Sequence, residues 1–224
     1  MIATLLAILV AALPLRVQEL PHAFPREGAK QLFDNERVTI WDVTLEKGRP
    51  TAMHRHRYDF VRVELANSTS KVTNLRGGGE TVTMRFGQVF FSRKGTTEMQ
   101  EGLSDVPRHM IIVDLKDVAV APLPNTGGHP LAFPREGAQK LIDNSRVTVW
   151  DLAWTPGKPT PMHFHDKDVV AIYLGDGSTS STTPEGVTTV SPHYTGEAKF
   201  NPRNRTHSEL LPAGMQRVIA VELK

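Results

Sequence analysis

The chain contains no cysteine, so it can form neither a disulfide nor a thiolate-held metal site. It also lacks an excess of charge of one sign. Twenty-six Lys and Arg face 24 Asp and Glu, a net charge of +2, and the two signs are interspersed. No basic run or aromatic-basic interleaving is present, which argues against nucleic acid as a partner. Three catalytic signatures are missing as well: a nucleophile elbow, a phosphate-cradling glycine loop that opens a helix, and a dinucleotide fingerprint. No segment after the N-terminus has the apolar period of an amphipathic helix.

Only one long apolar run exists, from Ile2 to Leu15, closed by Arg16. It is short for a bilayer span and suits the apolar region of a secretory leader, with Ala11 and Ala12 near its end. No Lys or Arg precedes it, so an N-terminal strand or helix packed on the body is the alternative. The expectation is a signal peptide over residues 1–18, cleaved between about residues 12 and 18. That would give a periplasmic or secreted protein without a membrane span; the alternative is a cytoplasmic one.

The dominant feature is a repeat. Residues 24–65 (FPREGAKQLFDNERVTIWDVTLEKGRPTAMHRHRYDFVRVEL) and 133–174 (FPREGAQKLIDNSRVTVWDLAWTPGKPTPMHFHDKDVVAIYL) align without a gap at an offset of 109 residues, and about half the positions are identical. So long a period indicates a duplicated domain rather than a solenoid. Residues 20–116 and 130–224 are the expected domains. The Pro-, Gly- and Asn-containing stretch 117–129 is the expected linker.

Both copies are patterned as β-structure. Strands are expected at Arg37–Val43, Phe60–Leu65, Glu80–Met84, Gln88–Ser92 and Met110–Leu115. Their counterparts are Arg146–Leu152, Val169–Leu174, Gly186–Val190, Glu197–Asn201 and Arg217–Leu223. Asp34-Asn35 and Asp143-Asn144 are turn pairs that close a hairpin in each copy. Many short strands between turn signals predict an all-β sandwich or barrel in each half.

Each copy carries a His-x-His pair, His54/His56 and His163/His165. On a strand such residues share one face, so two imidazoles can converge on one ion. A third ligand must come from a neighbouring strand, and His207 is the best placed. His193, beside Tyr194, is expected on a loop near the barrel mouth as an acid or base. His109 could line the first barrel, while His22 and His129 are expected to be exposed. Trp41-Asp42 and Trp150-Asp151 mark packed strands. FPREG is read as a structural turn whose Arg-Glu pair braces one barrel against the other.

Together these residues resemble the cupin superfamily. Gly157, His163, His165, Asp168 and Gly175 follow the first family motif, although the acid lies closer to the second His than usual. Gly196, Phe200, Pro202 and His207 follow the second motif. The first copy retains Gly48, His54, His56 and Asp59, and has Glu98 at the position of His207. The resemblance implies two tandem jelly-roll (double-stranded β-helix) barrels, a bicupin, each able to hold a divalent metal. Carried over residue by residue, the C-terminal ligands are His163, His165 and His207. Asp168 is either a fourth ligand or an outer carboxylate that orders an imidazole. The N-terminal set is His54, His56 and Glu98, chemically suited to Fe, Mn or Zn, unless that copy is a scaffold with Glu98 exposed. Should Arg55, Arg57 or Arg62 point inward, it would favour a carboxylate there over a bare metal.

The implied activity is that of a small-molecule enzyme of dioxygenase, decarboxylase or isomerase type, an oxidoreductase if the ion is redox-active. The metal (Fe, Mn, Zn, Ni or Cu) would lie in the C-terminal barrel. The rivals are a non-catalytic small-ligand-binding protein and a structural cupin. Exposed sheet edges make a homodimer a reasonable expectation.

Overall fold

The computed structural model describes residues 19–224, so the leader expected over 1–18 lies outside the described residues. Among the described residues there is no helix, hence none long and apolar enough to cross a membrane. The first half contains β1 (Ala29–Asp34), β2 (Val38–Leu45), β3 (His54–Arg55), β4 (Asp59–Glu64), β5 (Ser68–Asn74), β6 (Gly79–Met84), β7 (Val89–Ser92), β8 (Thr97–Gly102) and β9 (Arg108–Leu115). The second contains β10 (Ala138–Asp143), β11 (Val147–Ala153), β12 (His163–His165), β13 (Val169–Tyr173), β14 (Gly177–Thr182), β15 (Thr188–His193), β16 (Ala198–Asn201), β17 (Arg205–Leu210) and β18 (Arg217–Leu223).

Each half pairs a five-stranded sheet with a four-stranded one. The orders are β1-β2-β9-β4-β7 with β3-β8-β5-β6, and β10-β11-β18-β13-β16 with β12-β17-β14-β15. This is the expected all-β tandem-barrel architecture. The polar strands β5, β8, β14 and β17 lie outside the strands expected from the sequence pattern. Their inward faces carry Ser, Thr, His and Glu instead of apolar residues, so the usual alternation signal is missing.

The central strands of the five-stranded sheets are buried on both faces, which is why their sequences read as nearly continuous apolar runs. In the first half Trp41, Val43, Phe60, Met110 and Ile112 face the barrel interior. The alternate residues Val38, Ile40, Val61, Val63, Ile111 and Val113 face the second half. There they meet Val147, Val149, Val170, Ile172, Ile219 and Val221 in one shared core, and Phe33 stacks on Phe200 at 5.2 Å. At ~1.5–3 kcal/mol for each buried aliphatic side chain, this shared core holds the two barrels together.

A reciprocal ion-pair clasp crosses the same interface. Arg37 Nη1 lies 2.6 Å from Asp168 Oδ2, and Arg146 Nε lies 3.5 Å from Asp59 Oδ2. The two arginines are repeat equivalents, as are the two aspartates. Asn35 and Asn144 aim the arginines: each Oδ1 accepts the backbone N–H groups of the following turn. The connecting segment forms no strand. It is tied down at Leu123, whose N–H donates to Asp166 O at 2.9 Å, and at Asp117, which pairs with Lys94.

Removing one partner of a buried pair leaves the other charge unmatched. Asp168→Ala should therefore cost about 3 kcal/mol in a denaturant titration while leaving the metal content of the purified protein unchanged.

Candidate metal centre

In the second barrel β12 pairs with β17 so that His163 stands directly opposite His207. His165 lies two residues on and shares the face. The three ring centroids are 4.8–5.1 Å apart, and one ligand nitrogen from each lies within 4.8 Å of the others. All three side chains are buried. His163 Nδ1 sits 2.8 Å from Pro161 O, a group that only accepts, so Nδ1 carries the proton and Nε2 presents its lone pair. Ser181 Oγ is hydrogen-bonded to His207 Nδ1 at 2.8 Å, which orients that ring. Nε2 of His165 and of His207 are 3.0 Å apart. Two nitrogens each about 2.1 Å from one ion, at right angles, would be separated by about that distance.

Electrostatics keep these imidazoles neutral, as ligation requires. Burial lowers the pKa of His207 to about 4, against the pull of Glu209. Burial, then Arg205, depresses His165 further, while burial and Arg135 lower His163.

Two groups absent from the sequence-based set complete the site. Glu209 lies two residues beyond His207 on β17, and therefore on the same inward face. Burial works against its ionisation, but Arg135 and the imidazoles hold its carboxyl below the ordinary value. Arg135, from the second FPREG, donates from Nη2 to Glu209 at 2.6 Å and from Nη1 to His163 Nε2 at 3.0 Å. An ion bound by that lone pair would displace the latter contact. FPREG thus does not brace barrel against barrel. Its Arg enters the site, its Glu136 pairs with Lys158 at 2.8 Å on the surface, and Gly137 adopts φ +77°. A Cβ there would lie 2.2 Å from Ala153 O, so only glycine permits the turn. Recurrence of the whole pentapeptide was the available signal.

Asp168 departs from its expected role. Its oxygens accept from Arg37 Nη1 and, at 2.8 Å, from Arg203 N, and it is not in the ligand cluster. Strand parity explains this: on β13 residues 169, 171 and 173 face the barrel interior, so 168 faces the other barrel.

The first barrel brings together His54, His56 and Glu98. His54 stands opposite Glu98, and its Nδ1 is held 2.9 Å from Ala52 O, the repeat counterpart of Pro161. Glu98 is buried, 3.4 Å from His56 Nε2, and accepts from Gln100 Nε2 at 2.6 Å. Burial opposes its ionisation, yet His56 and Arg62 bring its pKa below the ordinary value. Arg55 and Arg57 are exposed, whereas Arg62 points inward to Glu64 at 2.9 Å.

His193 lies on β15 rather than on a loop. It is buried and stacked on Tyr173 at 3.7 Å, with Nδ1 2.7 Å from Glu197 and Nε2 2.9 Å from Thr179 Oγ1. His109 does not line its barrel but pairs with Asp42 at 2.7 Å, as Arg217 does with Asp151. Trp41 and Trp150 are packed as expected, and their Nε1 groups donate to Asp114 and Glu222. His22 is exposed, His129 is part-buried, and neither joins a ligand set. A pocket of about 150 Å³ opens beside His165 and His207 and is lined by Arg135, Tyr173, Thr179, His193, Arg205 and Glu209.

No family model matches the chain. It is 33% identical over 95 residues to the beta-alanine degradation protein BauB of Pseudomonas aeruginosa, covering 42% of this chain and 94% of that protein. Less than half of the chain thus accounts for nearly all of the relative. A cupin 2 conserved barrel domain protein from Leptotrichia buccalis superposes with a TM-score of 0.57, covering 88% of each chain at 12% identity. Oxalate decarboxylase of Lactobacillus farciminis, solved as a formate complex, superposes with a TM-score of 0.62 over 91% of this chain and 84% of that one, at 11% identity. At such identities these structures speak for the fold alone.

A histidine held neutral by the fold stabilises it above the unfolded pKa, near 6.5, and less as pH falls toward the folded value. For His207 that window runs from about 6.5 to about 4. Chelator-treated protein should lose about 2 kcal/mol from this residue between pH 7 and pH 5. His207→Gln should flatten the pH dependence of the melting temperature.

Proposed function

Since the chain belongs to the cupin superfamily and joins two of its barrels, we propose that it is a metal-dependent enzyme for a small anionic substrate, with its chemistry in the C-terminal barrel. One observation carries this reading: three neutral imidazoles face one point beside an arginine that has no ion-pair partner among the described residues, Arg205. The other cations lining the pocket are matched, Arg135 by Glu209 and Lys199 by Glu197. Arg205 therefore leaves an uncompensated positive charge that favours an anion.

The donor set fits a divalent ion, with His163, His165 and His207 as its ligands. Such an ion would supply a Lewis acid and, if iron, manganese or copper, a redox centre. The protein's own groups supply the rest. Pro161 O and Ser181 Oγ fix two imidazole orientations, and Glu209 holds Arg135 beside the site. Arg205 attracts and orients an anionic group. His193, backed by Glu197 and touching the pocket, can take or return a proton through the Thr179 hydroxyl. Phe133 and Trp154 form apolar walls that limit water access. Dioxygenase, decarboxylase and isomerase reactions on small acids all fit this equipment.

Metal analysis of protein purified without a His tag should find bound divalent metal. His163→Ala or His207→Ala should remove most of it, whereas Glu98→Ala should remove less than half. The reverse pattern would move the active barrel to the N-terminal half. Oxygen uptake and product formation should then be followed on a panel that includes oxalate, β-alanine, β-diketones, catechols and sugar acids. A uniformly silent panel on iron- and manganese-loaded protein would favour a non-catalytic binding protein instead.

A further inference from the structure

Both barrels carry the arginine of FPREG, yet among the described residues only one of the two has a carboxylate partner. Arg135 donates to Glu209 at 2.6 Å. At Arg26, 109 residues earlier, the position matching Glu209 is Gln100. Its amide nitrogen donates to Glu98 at 2.6 Å, and an amide brings no charge in any case. Among the described residues Arg26 Nε and Nη1 are shut off from solvent without a hydrogen-bond partner. So is Nη1 of Arg108, whose side chain is 0% exposed.

The surrounding interior is short of negative charge. Among the described residues the carboxylates beside Arg26, Arg62 and Arg108 are Glu64 and Glu98, and Arg108 and Arg62 share Glu64 at 2.6 and 2.9 Å. The second barrel has Ala171, Tyr173 and Gln216 at the places of Arg62, Glu64 and Arg108, so this cationic interior belongs to the first barrel alone. Burial lowers the pKa of Arg26 to about 10, with Glu98 opposing and Arg108 adding to the effect. Leaving buried guanidinium N–H groups unpaired is costly, so the arrangement lacks an acceptor that carries negative charge. A cleft of about 890 Å³ opens beside Arg26 and His54. Glu27 and Glu46 also line it, so the feature selecting an anion is the buried guanidinium rather than the cleft's general charge.

We propose that Arg26 binds a small carboxylate anion from this cleft, which takes the place that Glu209 holds against Arg135 in the second barrel. A carboxylate offers two oxygens to the adjacent Nε–H and Nη2–H on one edge of the guanidinium, the fork with which Arg108 holds Glu64. The site is independent of metal chemistry in the second barrel, and the test separates the two.

Isothermal titration of the full-length protein with sodium acetate and sodium malonate, at constant ionic strength, should reveal a carboxylate site. Arg26→Gln should weaken it at least ten-fold, and His163→Ala should leave it unchanged. Unchanged affinity in Arg26→Gln, loss in His163→Ala, preference for inorganic phosphate, or no binding at all would each overturn the proposal. A second measurement needs no variant fold: in ¹⁵N-arginine-labelled unmodified protein, acetate should shift a buried Nε–H resonance. Arginine Nε–H signals that stay fixed up to saturating acetate would equally overturn it.

Discussion

The two-residue period of strands buried on both faces governs this molecule. In β2, β4, β9 and their counterparts, one set of alternate side chains fills a barrel and the other fills the seam between barrels. Every functional placement inherits that parity. His163, His165, His207 and Glu209 project inward because each lies an even number of residues from the next along its strand. Asp168 immediately precedes β13, on the parity opposite to its inward residues, and so becomes part of the seam.

Against this shared frame the two halves differ by a displaced carboxylate. On β17 the order is His207 then Glu209, and on β8 it is Glu98 then Gln100. Both strands thus present one carboxylate to the interior, but it sits among the ligands in the first barrel and one step beyond them in the second. In the second barrel the carboxylate is free to neutralise Arg135 and leaves an all-imidazole set. In the first, Glu98 joins the set, and Arg26 loses its natural counter-charge. A shift of two residues on one strand face therefore redistributes charge across a whole chamber, where low dielectric magnifies it.

The seam explains why some charged residues are retained in both copies without serving chemistry. Arg37 with Asp168 and Arg146 with Asp59 exchange ion pairs under a pseudo-twofold relation, beside an apolar contact formed from both five-stranded sheets. These pairs match specific side chains across the seam, whereas an aliphatic contact alone is non-directional. The candidate ligand sets lie on the side of the four-stranded sheets, across each barrel from the seam.

Repetition, turn residues and β-branched runs made the duplicated all-β architecture legible in the chain itself, and the His-x-His spacing made the imidazole pairs legible too. Those features depend on local geometry, which neighbouring residues set. The polar strands β5, β8, β14 and β17 left no apolar trace, since their inward faces are built for ligands. The partners of Arg135 and Asp168 could not be read either. Each meeting joins groups far apart in sequence, 74 residues for Arg135–Glu209 and 131 for Arg37–Asp168, and is decided by which strands pair and which face is enclosed. The sequence by itself determined the repeated barrels and their histidine pairs. Only tertiary packing decided which charges each barrel interior would match and which it would leave open.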